Sequence, residues 1–177
     1  MPNYYVYLIS SLPVLTFNGQ PPFSFEKFLQ LCLGLIPERD IEIIKITAEE
    51  TGFIYKGKQP VLKQWFSFET ALRNEFVKIR ASYRHIDPAP YLRADGYTGV
   101  SLFHAAMSAH RNPSLLDSER ALDQERWNFL EELERGHYFD LDFLIVYALK
   151  LLLLERWEKI NAADKIRLME GVLTPLP

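Results

Sequence analysis

The side chains that could do chemistry are few, and their spacing assigns most of them to scaffold. Glu131, Glu132 and Glu134 lie within one helical turn. A carboxylate pair works as general acid and base only when its surroundings push the two pKa values apart. Here Arg135 and solvent satisfy the acids, so a solvated face is expected. The histidines are His85, His104, His110 and His137. Two imidazoles share a metal on one helix face at i, i+3 or i+4 spacing, whereas His104 and His110 are six apart and diverge. His137 with Asp140 and Asp142 could build an oxygen-rich site, but Asp140 is better placed as a helix cap. No metal and no cofactor is therefore expected. Cys32 has no base beside it and no Gly-x-Ser-x-Gly elbow occurs, which leaves nucleophilic catalysis without a candidate. Lys56-Gly57-Lys58 lacks the glycine spacing and the Lys-Ser/Thr ending of a phosphate-binding loop. Asp95-Gly96-Tyr97-Thr98-Gly99 follows no strand pattern of the dinucleotide-binding kind and reads as a turn.

What remains is a basic middle. Residues 1–55 carry three basic and six acidic groups, residues 56–110 eight and four, and residues 111–177 nine and thirteen. The formal total of −3 thus hides a positive centre between acidic ends. Lys56, Lys58, Lys63, Arg73, Lys78, Arg80 and Arg84 supply most of it, with Trp65 and Phe66 interleaved. Arg73, Arg80 and Arg84 fall at i, i+7 and i+11, on one face of a helix. Such a face can pair with the chain's own acids, hold an acidic protein surface, or grip an anionic substrate. Nucleic acid would need accessible aromatics for stacking, but these aromatics follow helical spacing and belong to a core. Lys63, Arg73, Arg80 and Arg84 are the candidate partner-binding residues.

The elements that must carry these residues are helices. A chain of 177 residues with a 48% hydrophobic fraction can bury a sizeable core, which excludes wholesale disorder. A lone cysteine excludes an internal disulfide and suits a reducing compartment. The start has no positively charged leader pattern. The most apolar stretch, Leu141 to Leu154, would rise only about 21 Å as a helix, short of a hydrocarbon core of about 30 Å. It is interrupted by Asp142 and Lys150, so a core helix is expected, and direct membrane insertion is not. The chain reads as cytoplasmic.

Residues 4–9 are β-branched and aromatic and suit a short extended segment. Ser24 can cap a helix from Phe25 to Leu35, with Phe25, Phe28, Leu29, Cys32 and Ile36 on one buried stripe. Pro37 opens a second short helix with Ile41 and Ile44 inward. A long helix runs from Pro60 to Arg84 with Trp65, Phe68 (or Leu72), Phe76, Ile79 and Tyr83 as its apolar stripe, and Asp87-Pro88-Ala89-Pro90 stops it. Residues 87–99 then make the best hinge, dividing 1–86 from 100–177 if the single domain is divided at all. Ser101 to Arg111 forms a short helix. Asn112-Pro113 opens another to Arg135, with Leu115, Leu122 and Phe129 at heptad spacing and Arg126 interrupting the seam. Gly136 closes it, Asp140 caps a central helix from Leu141 to Ile160, and Asn161 caps a last one. The expected fold is mostly α: an irregular bundle of six or seven helices with a short N-terminal extended segment.

Two stretches carry a resemblance. Tyr4-Tyr5-Val6-Tyr7-Leu8-Ile9-Ser10-Ser11-Leu12-Pro13 resembles the start of an uncharacterised bacterial family whose genes occur beside those of V-type (A-type) ATPases. Tyr138 to Lys150, an aromatic-acid-apolar run, is similar to a helix of the central-stalk C (or d) subunit of those ATPases. That subunit is all-helical and has no active site. The resemblance implies a non-catalytic interaction subunit or accessory factor of a rotary ATPase, its partners being ATPase subunits and its place peripheral to the membrane through the complex. The other readings are a small enzyme with an anionic substrate on the Arg73/Arg80/Arg84 face, and a nucleic-acid-binding module.

Overall fold

The computed structural model describes residues 3–49, 55 and 57–173, and Gly52 and Lys56 lie outside them. Seven α-helices are present among the described residues: α1 (Asn3–Ser11), α2 (Phe25–Cys32), α3 (Glu38–Lys45), α4 (Pro60–Arg84), α5 (Phe103–Arg111), α6 (Leu115–Glu134) and α7 (Leu141–Leu173). No described residue is in a strand, so the mostly α reading holds. Two short 3-10 turns, Ile46–Ala48 and Ala89–Tyr91, complete the regular structure. No described helix is long and apolar enough to cross a membrane. The chain divides into two compact units, Met1–Ala48 with His137–Pro177, and Glu49–Gly136.

The first unit is organised by α7. Residues 144–151 are buried without a break, as an apolar run with no polar face requires, and Lys150 is enclosed among them. Helices α2 and α3 pack against α7. Ser24 caps α2 by accepting the Lys27 N–H at 3.2 Å, and Glu155 of α7 takes the Phe25 N–H at 2.6 Å. Phe25, Phe28, Cys32 and Ile36 are buried as their spacing predicts.

The expected N-terminal extended segment is instead the helix α1. Tyr5, Leu8 and Ile9 stand at i, i+3 and i+4. Leu8 and Ile9 are buried, and the Tyr5 hydroxyl donates to the buried Asp40 carboxylate. These tertiary contacts override the β-propensity of a run too short to show its own period. The last helix also differs from expectation. Helix α7 continues through Asn161 without a second start, because an asparagine in a helix interior is disfavoured by only a few tenths of a kcal/mol, about 0.7 at most.

In the second unit α5 packs on both α4 and α6. Phe68 of α4 stacks on Phe129 of α6 at 4.3 Å, and Tyr97 sets its ring edge-on to both. Arg126, which interrupts the heptad seam in the sequence, is largely enclosed, its side chain 14% exposed, as the centre of an ion triad. It reaches Glu69 at 2.6 Å and Asp123 at 2.7 Å. Burial opposes its charge, but the two carboxylates outweigh that and raise its pKa. Tyr83 and Leu115, expected in the core, are exposed. Both sit at a helix end, where an apolar periodicity outlasts the surface available to cover it. The cap of α6 is Ser114, not Asn112, whose side chain instead accepts the Ser114 N–H at 2.9 Å.

Residues 87–99 lie inside this second unit, and the division between units falls elsewhere than at the expected hinge. The stop signal itself acts as predicted: His85 takes a left-handed conformation (φ 54°) and closes α4 before Asp87-Pro88. The buried Asn74 then fixes the irregular chain. Its amide donates to the Arg93 carbonyl at 2.7 Å and to Asp95 at 2.8 Å, and its oxygen accepts the Arg93 N–H at 3.0 Å.

Candidate functional site

The clamp on Arg93 creates the most suggestive feature of the surface. The middle of α4 forms one wall and Tyr91 to Arg93 the other, enclosing a groove of about 460 Å³. Three guanidinium-bearing residues line it: Arg73 and Arg80 from α4, and Arg93 from the facing segment. Phe76, Val77 and Tyr91 supply apolar surface, and Thr70 and Asn74 close the base. Among the described residues no histidine and no carboxylate lines this groove. Its cations equip it to bind an anion.

Four basic residues stand out in the sequence, and the structure separates them. Arg73 and Arg80 share the groove, while Arg84 lines neither it nor the neighbouring cavity. Lys63 lines that smaller cavity, of about 200 Å³, with Phe66, Ser67 and Asp95. All four side chains belong to exposed residues. Helical spacing predicts the pairing of Arg73 with Arg80, but it is silent on Arg93, which reaches the site only through an irregular chain that Asn74 fixes. The physical reason is that a buried asparagine demands hydrogen-bond partners, and here the facing chain supplies them. Among the other basic residues, Lys78 pairs locally with Glu75 at 2.7 Å. Trp65 is in the core, and Phe66 stacks on Tyr55 at 5.7 Å.

The remaining candidates fall into separate places. His85 caps α4, His104 touches Phe103, and His110 lies against Tyr83 at 5.0 Å. His137 does meet both aspartates: its Nδ1 is 2.7 Å from Asp140 and 3.5 Å from Asp142. One ligand atom from each lies within 4.8 Å of the others, a spacing that a small divalent cation could bridge. Asp140 has the capping role expected of it, since its other oxygen accepts the Phe143 N–H at 2.9 Å. The hydrogen bond to Asp140 raises the His137 pKa, burial opposes this, and the charges of Asp140 and Asp142 add to the rise. The two carboxylates at the start of α7 thus favour the charged form of the imidazole.

Cys32 is fully buried, and burial pushes its thiol up to about 12, the opposite of an activated nucleophile. Of the acidic turn in α6, Glu131 accepts the Trp127 indole N–H at 2.9 Å. Asp95 closes its turn by accepting the Tyr97 N–H at 3.0 Å.

No curated protein and no solved structure matches the chain. A family model does, over residues 52–168, a span that takes in α4, α5, α6 and most of α7. The chain therefore belongs to the family described as protein of unknown function (DUF2764).

Proposed function

We propose that the protein is a non-catalytic interaction factor that docks an acidic protein partner on the basic groove of its second unit. The observation that carries this reading is the convergence of Arg73, Arg80 and Arg93 on one concave surface. Such a lining suits recognition of carboxylates by guanidinium forks. The assembly in which to look for the partner is a V-type rotary ATPase, on the strength of the resemblance carried by Tyr4 to Pro13 and Tyr138 to Lys150. In that setting the protein is a cytoplasmic accessory factor or subunit, peripheral to the membrane through the complex.

Affinity purification of the full chain from its source cell, followed by native mass spectrometry, tests the proposal. The expected result is co-recovery of ATPase subunits, weakened by Arg73→Glu and Arg80→Glu. Recovery free of every ATPase subunit, under conditions that keep the rotary complex intact, sinks the assembly assignment. The enzyme alternative draws on the same arginines. It requires turnover of an anionic substrate that Arg80→Glu abolishes, and a described groove lining without histidine or carboxylate weighs against it.

A further inference from the structure

We infer that the α4 groove is a docking cleft for a short, extended acidic segment of the partner, in which two carboxylates bracket an apolar side chain. The inference rests on the interaction reading above and adds the chemistry of what is bound. Its first support is spacing. Arg73 and Arg80 are seven residues apart on a continuous helix, or about 10.5 Å along the axis. In an extended peptide of the polyproline II kind residues three apart share one face and lie about 9.3 Å apart, so acids at that spacing approach the interval. The second support is the surface around the cations. Phe76 and Val77 of α4, with Tyr91 opposite, give an apolar side chain a place to lie. The third is size. A groove of about 460 Å³ holds a few side chains rather than a domain face, within the range of about 300–1,000 Å³ seen for small-ligand pockets.

The same groove is poorly built for phosphate. Phosphate sites draw on backbone N–H groups at helix N-termini or glycine-rich nests. Here the α4 wall runs from Thr70 to Arg80, in the middle of a helix that starts at Pro60, where backbone donors are already used in the ladder. Carboxylates need only the guanidinium forks. Arg73 and Arg93 also take part in contacts within the chain. Arg93 is further set by Asn74, which holds its backbone at both N–H and carbonyl. Part of the ordering that binding requires is thus already in place.

The test is selection of a random phage-displayed dodecapeptide library on the full chain, followed by affinity measurements on the selected peptides. The expected pool is enriched in Asp and Glu flanking an aliphatic or aromatic residue. Binding of its members falls about tenfold or more in Arg80→Glu and in Arg73→Glu. Arg84→Glu changes the net charge by the same amount outside the groove and leaves binding unchanged. Arg80→Gln, a milder change at an exposed residue, lowers affinity in the same direction. A pool without acidic enrichment overturns the inference, as does an equal loss in Arg84→Glu, which would mean diffuse attraction to a basic surface. Displacement of the peptides by millimolar inorganic phosphate at constant ionic strength also overturns it. An empty selection, with ATPase subunits captured equally by wild type and Arg80→Glu, removes the groove and leaves the interaction reading standing. Acidic peptides seated in the groove with no ATPase subunit recovered remove the assembly assignment and leave the groove.

Discussion

Cys32 sits on the inner stripe of α2, shielded from water on every side. A thiol there disfavours the charged thiolate, the form that reacts. An aromatic disulfide reagent at about pH 8 should leave the native chain unmodified and label one equivalent after denaturation. Labelling of the native chain at the denatured rate would contradict the burial of α2. His137 makes the opposite case, a group whose charge the fold favours. Its pKa is raised mainly by the hydrogen bond to Asp140, so its contribution to stability is fully present below the unfolded value of about 6.5. That contribution disappears as pH rises through the folded value. The pair is a third or more exposed, with side-chain accessibilities of 33% and 46%, so solvent screening limits it to about 1 kcal/mol at most. Thermal unfolding should show His137→Gln less stable than wild type at acid pH, by about 2–4 °C or less, with the gap closing at alkaline pH. A gap that grows with pH would refute the assignment. Asp140→Ala should cost stability at both ends of the range, because it removes a helix cap as well.

Two contacts decide the arrangement of elements in the second unit. Asn74 ties the 93–95 segment to α4 through three hydrogen bonds, two of them to the backbone of Arg93. Asn74→Ala should free that segment, and trypsin should then cut after Arg93 several-fold faster than in wild type. Asn74→Asp should behave alike, since a carboxylate cannot donate to the Arg93 carbonyl and faces Asp95 directly. Unchanged cleavage would show that Tyr97 alone secures the chain. The Arg126 triad joins α4 to α6. Arg126→Met would leave Glu69 and Asp123 buried without their cation, their side chains being 13% and 0% exposed. Hydrogen exchange in α4 and α6 should report a loss of about 3–5 kcal/mol, and a loss below about 1 kcal/mol would show that water replaces the arginine. These contacts also mark what the sequence conveys. The span of α4 follows from its first-turn proline, its stop and its apolar period, all of which are local, whereas α2 ends at Cys32, short of the expected Leu35, and α6 starts at Leu115 behind Ser114. An enclosed arginine reads from the sequence as a flaw in a seam, because its two partners sit three and fifty-seven residues away. The helix α1 reads as extended for a related reason: Asp40, thirty-five residues on, takes part in fixing its conformation.

At the scale of the whole chain, the divided architecture escapes a linear reading because the first unit is assembled from both ends of the sequence. Proline and glycine at 87–99 carry the composition of a linker, yet Asn74 and Tyr97 hold that stretch within the second unit. Charge is likewise organised by region. The positive excess lies at 56–110, while the chain as a whole carries −3. Long-range attraction to a polyanion is therefore weak, and binding of acids must come from groups at contact distance, within a Debye length of about 10 Å at 0.1 M salt. Duplex DNA presents one charge per about 1.7 Å of axis and is held by many phosphate contacts in a row. The three arginines of one groove do not offer that length, and of the aromatics interleaved with the basic residues Trp65 is in the core and Phe66 is stacked on Tyr55. Titration of labelled duplex DNA and single-stranded RNA at about 50 mM salt should show no saturable binding at micromolar protein. An acidic peptide held in the groove should weaken as salt rises but keep the share of its affinity that comes from Phe76, Val77 and Tyr91. Tight, salt-sensitive retention of either nucleic acid would move the function to the basic face as a whole, and Arg84→Glu would then weaken it as much as Arg80→Glu.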